Sequence, residues 1–301
     1  MARITQHYNI EGNVPFLDIE VDRDNRQFVD PHAVRLARGP APFAAQAIIA
    51  MDTFFQSIAS AVMSKDPFVR SQGKALLQRF REPYETRLGM SRTGFHGHGG
   101  GDDIGKLIWE AMDEDLDALV ELGLLRHLEM LPMFVENVDK DLTSDITTRI
   151  IYDPLASFTR EMIERFPEFT TGQHTTETVQ RQVWNVDSLD WRLADFELPL
   201  VDGRPLLLVP KDWARRNLLM SAGRFFDKSV LDYVQLEQAV PLSNGKLAKT
   251  PKDRLRKQPD LTPSRLTILK ITLRAHHNGE DLIGQFEQYV NSKLPPRTSA
   301  A

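Results

Sequence analysis

The opening segment of the chain contains two carboxylates at a spacing that suits metal chemistry. Asp18 and Glu20 fall within residues 15–22, where apolar and acidic residues alternate as in a half-exposed β-strand. Side chains two residues apart on a strand point to the same side, so these carboxylates can share a divalent cation. The pattern predicts a Mg²⁺ or Mn²⁺ site at Asp18 and Glu20. The alternative is a pair of strand acids that face solvent.

A glycine-rich loop over residues 93–101 contains two histidines, His96 and His98. Imidazole groups titrate near neutral pH, so either histidine can serve as a general acid or base, and two histidines at i and i+2 can also grip one metal ion. Glycines beside a helix N-terminus expose backbone N–H groups that suit an anion. We predict His96 and His98 as catalytic groups, with anion binding as the alternative use of the loop.

Charge is distributed unevenly along the chain. Residues 102–145 contain thirteen acidic and three basic residues, whereas residues 204–274 contain fifteen basic and six acidic ones. The densest basic stretch, which can hold a phosphate backbone by releasing condensed counterions, comprises Lys246, Lys249, Lys252, Arg254, Arg256 and Lys257. These six residues are the predicted nucleic-acid contacts. Alternatively, the stretch faces the acidic middle of the chain or solvent.

Two further groups of residues have both a functional and a structural interpretation. Trp184 and Trp191 lie near several bases and could stack on nucleobases, but such tryptophans more often anchor a core or an interface. Asp139, Asp141 and Asp145 have spacing that suits calcium, yet they lack the central glycine of a calcium loop, and a helix capped by Ser144 explains much of the pattern.

Composition excludes several function classes. The 301 residues include no cysteine, which removes cysteine-ligated zinc, iron–sulfur clusters, thiol nucleophiles and disulfide scaffolds. The N-terminal residues are polar, and no uninterrupted apolar stretch is long enough to cross a bilayer. We therefore expect a soluble, cytoplasmic protein with no membrane partner.

Apolar periodicity predicts an α+β fold that is predominantly helical. Residues 1–167 are expected to form a mostly helical domain with one opening strand and with helices after Pro42, Pro67, the glycine-rich loop, Ser144 and Asp153. A threonine-rich boundary at 168–178 precedes a smaller mixed, basic domain over 179–293. Its signature is a hairpin on the Asp202-Gly203 turn, followed by helical patterns over 254–274 and 280–290.

The helical stripes of this first part need a common partner. Ten apolar residues are predicted to share one core: Phe43, Ile48, Met51, Phe55, Ile58, Leu107, Ile108, Leu119, Leu155 and Phe158.

Several segments carry a resemblance to known families. Residues 10–17, 28–31, 142–151 and 206–211 are similar to a set of uncharacterised bacterial proteins associated with mobile and antiviral-defence gene neighbourhoods. Residues 16–20 resemble the first motif of metal-dependent 3′ exonucleases. The first resemblance implies a bacterial cytoplasmic protein with a nucleic-acid-directed role and transfers no catalytic residue.

Two functional hypotheses follow. The first is a nucleic-acid-directed defence effector, a metal-dependent nuclease in its sharpest form, which would use Asp18, Glu20, His96 or His98 and the basic stretch. The second is a non-catalytic binding or adaptor protein that acts through self-association or a protein partner. Convergence of these side chains would favour the enzyme, and their dispersal would favour the binding protein.

Overall fold

The structure is a computed structural model of the chain. It describes residues 2–78, 83–89, 100–124 and 126–294, with the backbone alone for residues 100–104. These residues form a predominantly helical α+β fold, as the apolar periodicity predicts.

Helices make up most of the first half of the chain. In order they are α1 (Ile4–Tyr8), α2 (Pro31–Leu36), α3 (Phe43–Met63), α4 (Pro67–Leu77), α5 (Gly100–Glu114), α6 (Leu116–Glu121), α7 (Leu131–Phe134), α8 (Lys140–Ile150) and α9 (Tyr152–Arg165).

The second half mixes strands with shorter helices. Its helices are α10 (Ala222–Phe225), α11 (Leu231–Glu237), α12 (Lys252–Leu255), α13 (Arg265–His277) and α14 (Leu282–Ser292). The strands of the whole chain are β1 (Phe28–Val29), β2 (Thr176–Asn185), β3 (Asp190–Val201), β4 (Arg204–Pro205), β5 (Ala214–Arg215), β6 (Val240–Pro241) and β7 (Leu247–Ala248).

All strand pairs are antiparallel, and the longest is the β2–β3 hairpin. Trp184 faces Trp191 across this hairpin, and β4 extends it by pairing with the end of β3. The turn between β3 and β4 places Asp202 and Gly203 at positive φ (51° and 71°), as a tight hairpin requires. The predicted Asp-Gly hairpin is therefore confirmed. Strand β1 pairs with β5, and β6 pairs with β7.

Helix α3 lies at the centre of the packing. It contacts α2, α4, α5, α8, α9 and β2, and its buried side chains include Met51, Phe54 and Phe55. Eight of the ten predicted core residues are buried in one hydrophobic cluster, and the other two, Ile48 and Leu107, pack against it partly buried. The cluster draws residues from both 1–167 and 179–293, so the two predicted domains contribute to one core.

Four sequence-based expectations about elements are wrong. Residues 15–22 form only isolated bridges, Phe16 with Pro210 and Glu20 with Arg3, rather than a regular strand, and Val21 and Asp22 already lie in a turn. Ser144 does not begin a helix: α8 begins at Lys140, and Asp139 caps it by accepting hydrogen bonds from the N–H groups of Asp141 and Leu142.

The other two errors also have local causes. The threonine-rich stretch that was expected to be a loop already enters β2 at Thr176, because β-branched residues suit strands. The helical pattern over 254–274 is broken after Leu255 and resumes only at Arg265, since Pro259 and Pro263 lack the N–H groups that a continuous helix needs.

Candidate functional site

The two predicted metal ligands lie against different protein partners. Asp18 accepts hydrogen bonds from the backbone N–H of Thr5 (3.0 Å) and from its hydroxyl (2.9 Å), which secures the first turn of α1. Glu20 forms an ion pair with Arg23 at 2.6 Å. Both carboxylates thus have local structural contacts. Within the described residues, no group of three or more His, Asp or Glu side chains could hold a metal ion.

The predicted catalytic histidines, His96 and His98, lie outside the described residues. Their convergence with Asp18 and Glu20 therefore stays a prediction. Helix α5 begins at Gly100, the next residue that the structure describes.

The tryptophan pair is part of the core. The Trp184 indole N–H donates to the Thr53 hydroxyl, and the Trp191 indole N–H donates to the Leu76 carbonyl, each at 3.0 Å. Their ring centroids lie 5.8 Å apart, and both rings pack edge-on to Phe54. These contacts attach the β2–β3 hairpin to α3 and α4, so the structural interpretation of the two tryptophans is confirmed.

The six predicted nucleic-acid contacts all lie in one segment, residues 240–257, which we call the basic arm. It starts with the β6–β7 hairpin, in which Val240 faces Ala248 and Pro241 faces Leu247. Every residue from 240 to 249 is exposed, so neither face of this hairpin packs on the core. Two apolar side chains illustrate this: Val240 is 61% exposed and Leu247 is 50% exposed.

The base of the basic arm is fixed to the body of the protein. Leu255 is fully buried, and the Gln235 side chain on α11 donates to the Thr250 carbonyl at 2.6 Å. The side chains of Gln238 and Gln258 hydrogen-bond to each other. A hairpin that is exposed on both faces therefore projects from an anchored base.

Two of the six basic side chains are neutralised within the fold. Lys252 forms an ion pair with Asp232 at 2.6 Å. Arg256 bonds Asp227 and Asp253, each at 2.7 Å, and the contact with Asp227 raises its pKa further. These two residues hold the base of the arm in place.

The other four, Lys246, Lys249, Arg254 and Lys257, are exposed. Within the described residues they have no ion-pair partner, which leaves their charges available to a ligand.

A buried network of charged residues was missed from the sequence. The Arg35 guanidinium bonds Glu129, which is 1% exposed, and reaches Asp52 at 2.6 Å. His32, fully buried, donates to or accepts from Asn291 at 3.0 Å through Nε2, and its Nδ1 lies 3.7 Å from Glu129, which is ion-pair range rather than a hydrogen bond. The network joins α2, α3 and α14.

The titration of this network follows from burial and charge. Burial favours neutral Glu129, but His32 and Arg35 outweigh it and lower its pKa to about 2. Burial likewise opposes protonation of His32, yet Glu129 and Asn291 raise its pKa overall. Burial raises the pKa of Asp30, which caps α2 and also accepts the N–H of Leu219 at 2.7 Å. The only sequence signal for this region was Asp30-Pro31, a helix start.

A second buried carboxylate, Glu85, lies in the 3-10 turn Tyr84–Thr86. It bonds Arg181 of β2 at 2.5 Å, and the Tyr152 hydroxyl of α9 lies 3.4 Å away. Arg181 also donates to the Tyr84 hydroxyl at 3.0 Å. This cluster fixes the segment 83–89 against the hairpin. Nothing in the spacing of these residues along the sequence indicates that they meet.

Comparison with known proteins gives one match. A family model described as "Domain of unknown function (DUF8370)" matches residues 8–221. No curated protein and no solved structure matches the chain. Among the described residues, no helix is both long enough and apolar enough to span a bilayer.

Proposed function

Because the chain belongs to the DUF8370 family, whose description assigns no function, we propose from its surface that it is a nucleic-acid-binding protein. The observation that carries the proposal is the basic arm, a projecting hairpin and base whose four exposed cations form no ion pair with any described residue. The similarity of several segments to bacterial proteins from defence gene neighbourhoods supports a nucleic-acid-directed role in the bacterial cytoplasm.

The shape of the basic arm favours duplex DNA. A two-stranded ribbon fits the major groove of B-form DNA, whereas the major groove of A-form RNA is too narrow for side chains to read. Lys246 lies next to the tip, on the part of the arm that would enter the groove, and Lys249 lies at the foot of the hairpin, where it would meet a phosphate at the groove edge. Arg254 and Lys257, nearer the base, are placed to contact flanking phosphates. Contacts of this kind position a protein on DNA without reading its sequence.

We expect the double variant Lys246→Glu/Lys249→Glu to bind duplex DNA at least about tenfold more weakly than the wild type. Each neutralised phosphate contributes roughly −0.9 to the slope of log affinity against log salt concentration, so four phosphate contacts give a slope of about −3.6. The double variant lacks two of the four cations and should therefore show about half of that slope. The measurement is fluorescence anisotropy with a labelled DNA duplex across a salt series, repeated with double-stranded RNA.

The matched control is Lys65→Glu/Arg160→Glu, which changes the net charge by the same amount. Both positions are exposed: Lys65 lies just before α4, and Arg160 lies on α9. It should leave most of the affinity intact. Absence of wild-type binding even at low salt, or equal losses in both double variants, would contradict the proposal.

A protein partner is the second candidate, because the hairpin also exposes apolar side chains. Val240, Leu242 and Leu247 are each at least 47% exposed, and Leu236 on α11 is 54% exposed. If these residues mediate self-association, Leu242→Asp should shift a wild-type dimer to monomer in sedimentation velocity while DNA affinity stays unchanged. A wild-type protein that is monomeric at all concentrations tested would exclude self-association.

Nuclease activity is a separate proposal, and DNA binding by the basic arm does not depend on it. It would require Mg²⁺ or Mn²⁺ at Asp18 and Glu20, whose present contacts with Thr5 and Arg23 would have to open. Cleavage of the same duplex on addition of either metal, lost in Asp18→Asn, would support it.

A further inference from the structure

One arginine outside the basic arm is buried with no ion-pair partner among the described residues. Arg87 is only 8% exposed, and its Nε has no hydrogen-bond partner within the described part of the chain. The guanidinium also forms no ion pair there. Arginine keeps its charge at any accessible pH, and an unpaired buried charge is strongly unfavourable. A buried arginine of this kind calls for an anionic partner.

The backbone holds Arg87 in place. The residue has positive φ (53°), which is uncommon for a residue other than glycine, and its N–H bonds the Tyr84 carbonyl at 3.2 Å. Its own carbonyl accepts hydrogen bonds from the backbone and the side chain of Asn25, at 2.8 and 3.1 Å. The guanidinium therefore projects from a fixed position.

Carboxylates lie near this guanidinium, but among the described residues none is in ion-pair contact with it. Glu85, two residues earlier, is already bonded to Arg181. Burial, and then the nearby charge of Arg204, lower the pKa of Arg87, while Asp24, Asp202 and Glu85 act in the opposite direction, although none of the three forms an ion pair with it within the described residues. Arg204 is exposed at the start of β4, on the Asp202-Gly203 turn. The Leu207 N–H, just beyond β4, donates to the Glu85 carbonyl at 2.9 Å, which brings the strand that begins with Arg204 next to the segment that carries Arg87.

We infer that Arg87 and Arg204 form a binding site for a phosphate group. Guanidinium groups match the oxygens of phosphate with paired, charge-assisted hydrogen bonds, and two of them offset its double charge. The anion would supply the partner that Arg87 lacks and would relieve the repulsion between the two arginines. This site shares no residue with the basic arm, so it stands independently of the proposed function.

The test compares wild-type protein with Arg87→Met, which keeps most of the side-chain length and removes the charge. Inorganic phosphate should raise the melting temperature of the wild type more than that of the variant, because only the wild type binds it. Phosphate also stabilises proteins generally, and the variant measures that general effect. Without phosphate, Arg87→Met should be at least as stable as the wild type, since removal of an unpaired buried charge is not destabilising.

Calorimetric titration with inorganic phosphate should show that Arg87→Met lowers phosphate affinity about tenfold or more and that Arg204→Gln also clearly lowers it. The control Arg160→Gln, at an exposed arginine on α9, should leave phosphate affinity unchanged. Equal stabilisation of the wild type and Arg87→Met by phosphate would overturn the inference, as would the absence of any measurable phosphate binding.

A labelled oligonucleotide distinguishes the source of the phosphate. Weaker oligonucleotide binding by Arg87→Met would assign the site to a nucleic-acid backbone. Unchanged oligonucleotide binding together with lost phosphate binding would assign it to a free phosphate or a phosphate monoester. Loss of DNA binding in the basic-arm variant alone would leave the Arg87 site intact, so the two proposals can fail separately.

Discussion

Replacement of Glu129 by Gln is expected to lower the free energy of unfolding by about 3 kcal/mol or more. Glu129 is 1% exposed and is the buried partner of both Arg35 and His32. The substitution keeps the side-chain shape but removes the charge, which leaves Arg35 with only the half-exposed Asp52. Chemical denaturation of the two proteins at neutral pH measures the difference.

The matched control is Glu121→Gln. Glu121 pairs with His277 on the surface, where both side chains are about half exposed. An exposed pair of this kind contributes within about 1 kcal/mol. If both variants lose the same small amount of stability, the buried network is not holding α2, α3 and α14 together.

The same network sets a pH dependence. The pKa of Glu129 is about 2 in the folded protein against an ordinary value of 4.5, so the unfolded state binds more protons between these values. The difference in free energy of unfolding between the wild type and Glu129→Gln should therefore be fully present above about pH 4.5 and decrease as the pH falls towards 2. His32 acts oppositely: its raised pKa gives stability that is present below 6.5 and lost as the pH rises through its folded value.

Local patterns predicted the elements that depend on neighbouring residues. The apolar spacing of α3, the Asp202-Gly203 hairpin and the contiguous basic residues of the arm are all properties of short stretches. The β2–β3 hairpin was missed because its strands are only partly buried and its turn, residues 186–189, lacks an Asn-Gly or Asp-Gly signal.

The buried charges could not be predicted, because their partners are distant in the sequence. Glu129 meets Arg35 across 94 residues, and Glu85 meets Arg181 across 96. Conversely, Asp18 and Glu20 satisfied a spacing rule, yet their actual partners, Thr5 and Arg23, follow from how the chain folds back on itself. Short-range spacing identifies which side chains share a face and leaves open what that face contacts.

Replacement of Phe55 by Ala is expected to cost about 3 to 5 kcal/mol of stability. Phe55 is 2% exposed on α3, the helix that contacts α2, α4, α5, α8, α9 and β2. Met112 and Leu119, both buried, line the space beside its ring.

Loss of the ring of Phe55 would leave a void lined by side chains from several helices, which cannot all relax into it. Phe68→Ala removes the same ring from a position on α4 that is 68% exposed, and it should change stability by no more than about 0.5 kcal/mol. Urea unfolding midpoints, with unchanged slopes, give the comparison. Because both variants lose identical atoms, the difference between them measures burial alone, and equal midpoints would mean that α3 is not the centre of the core.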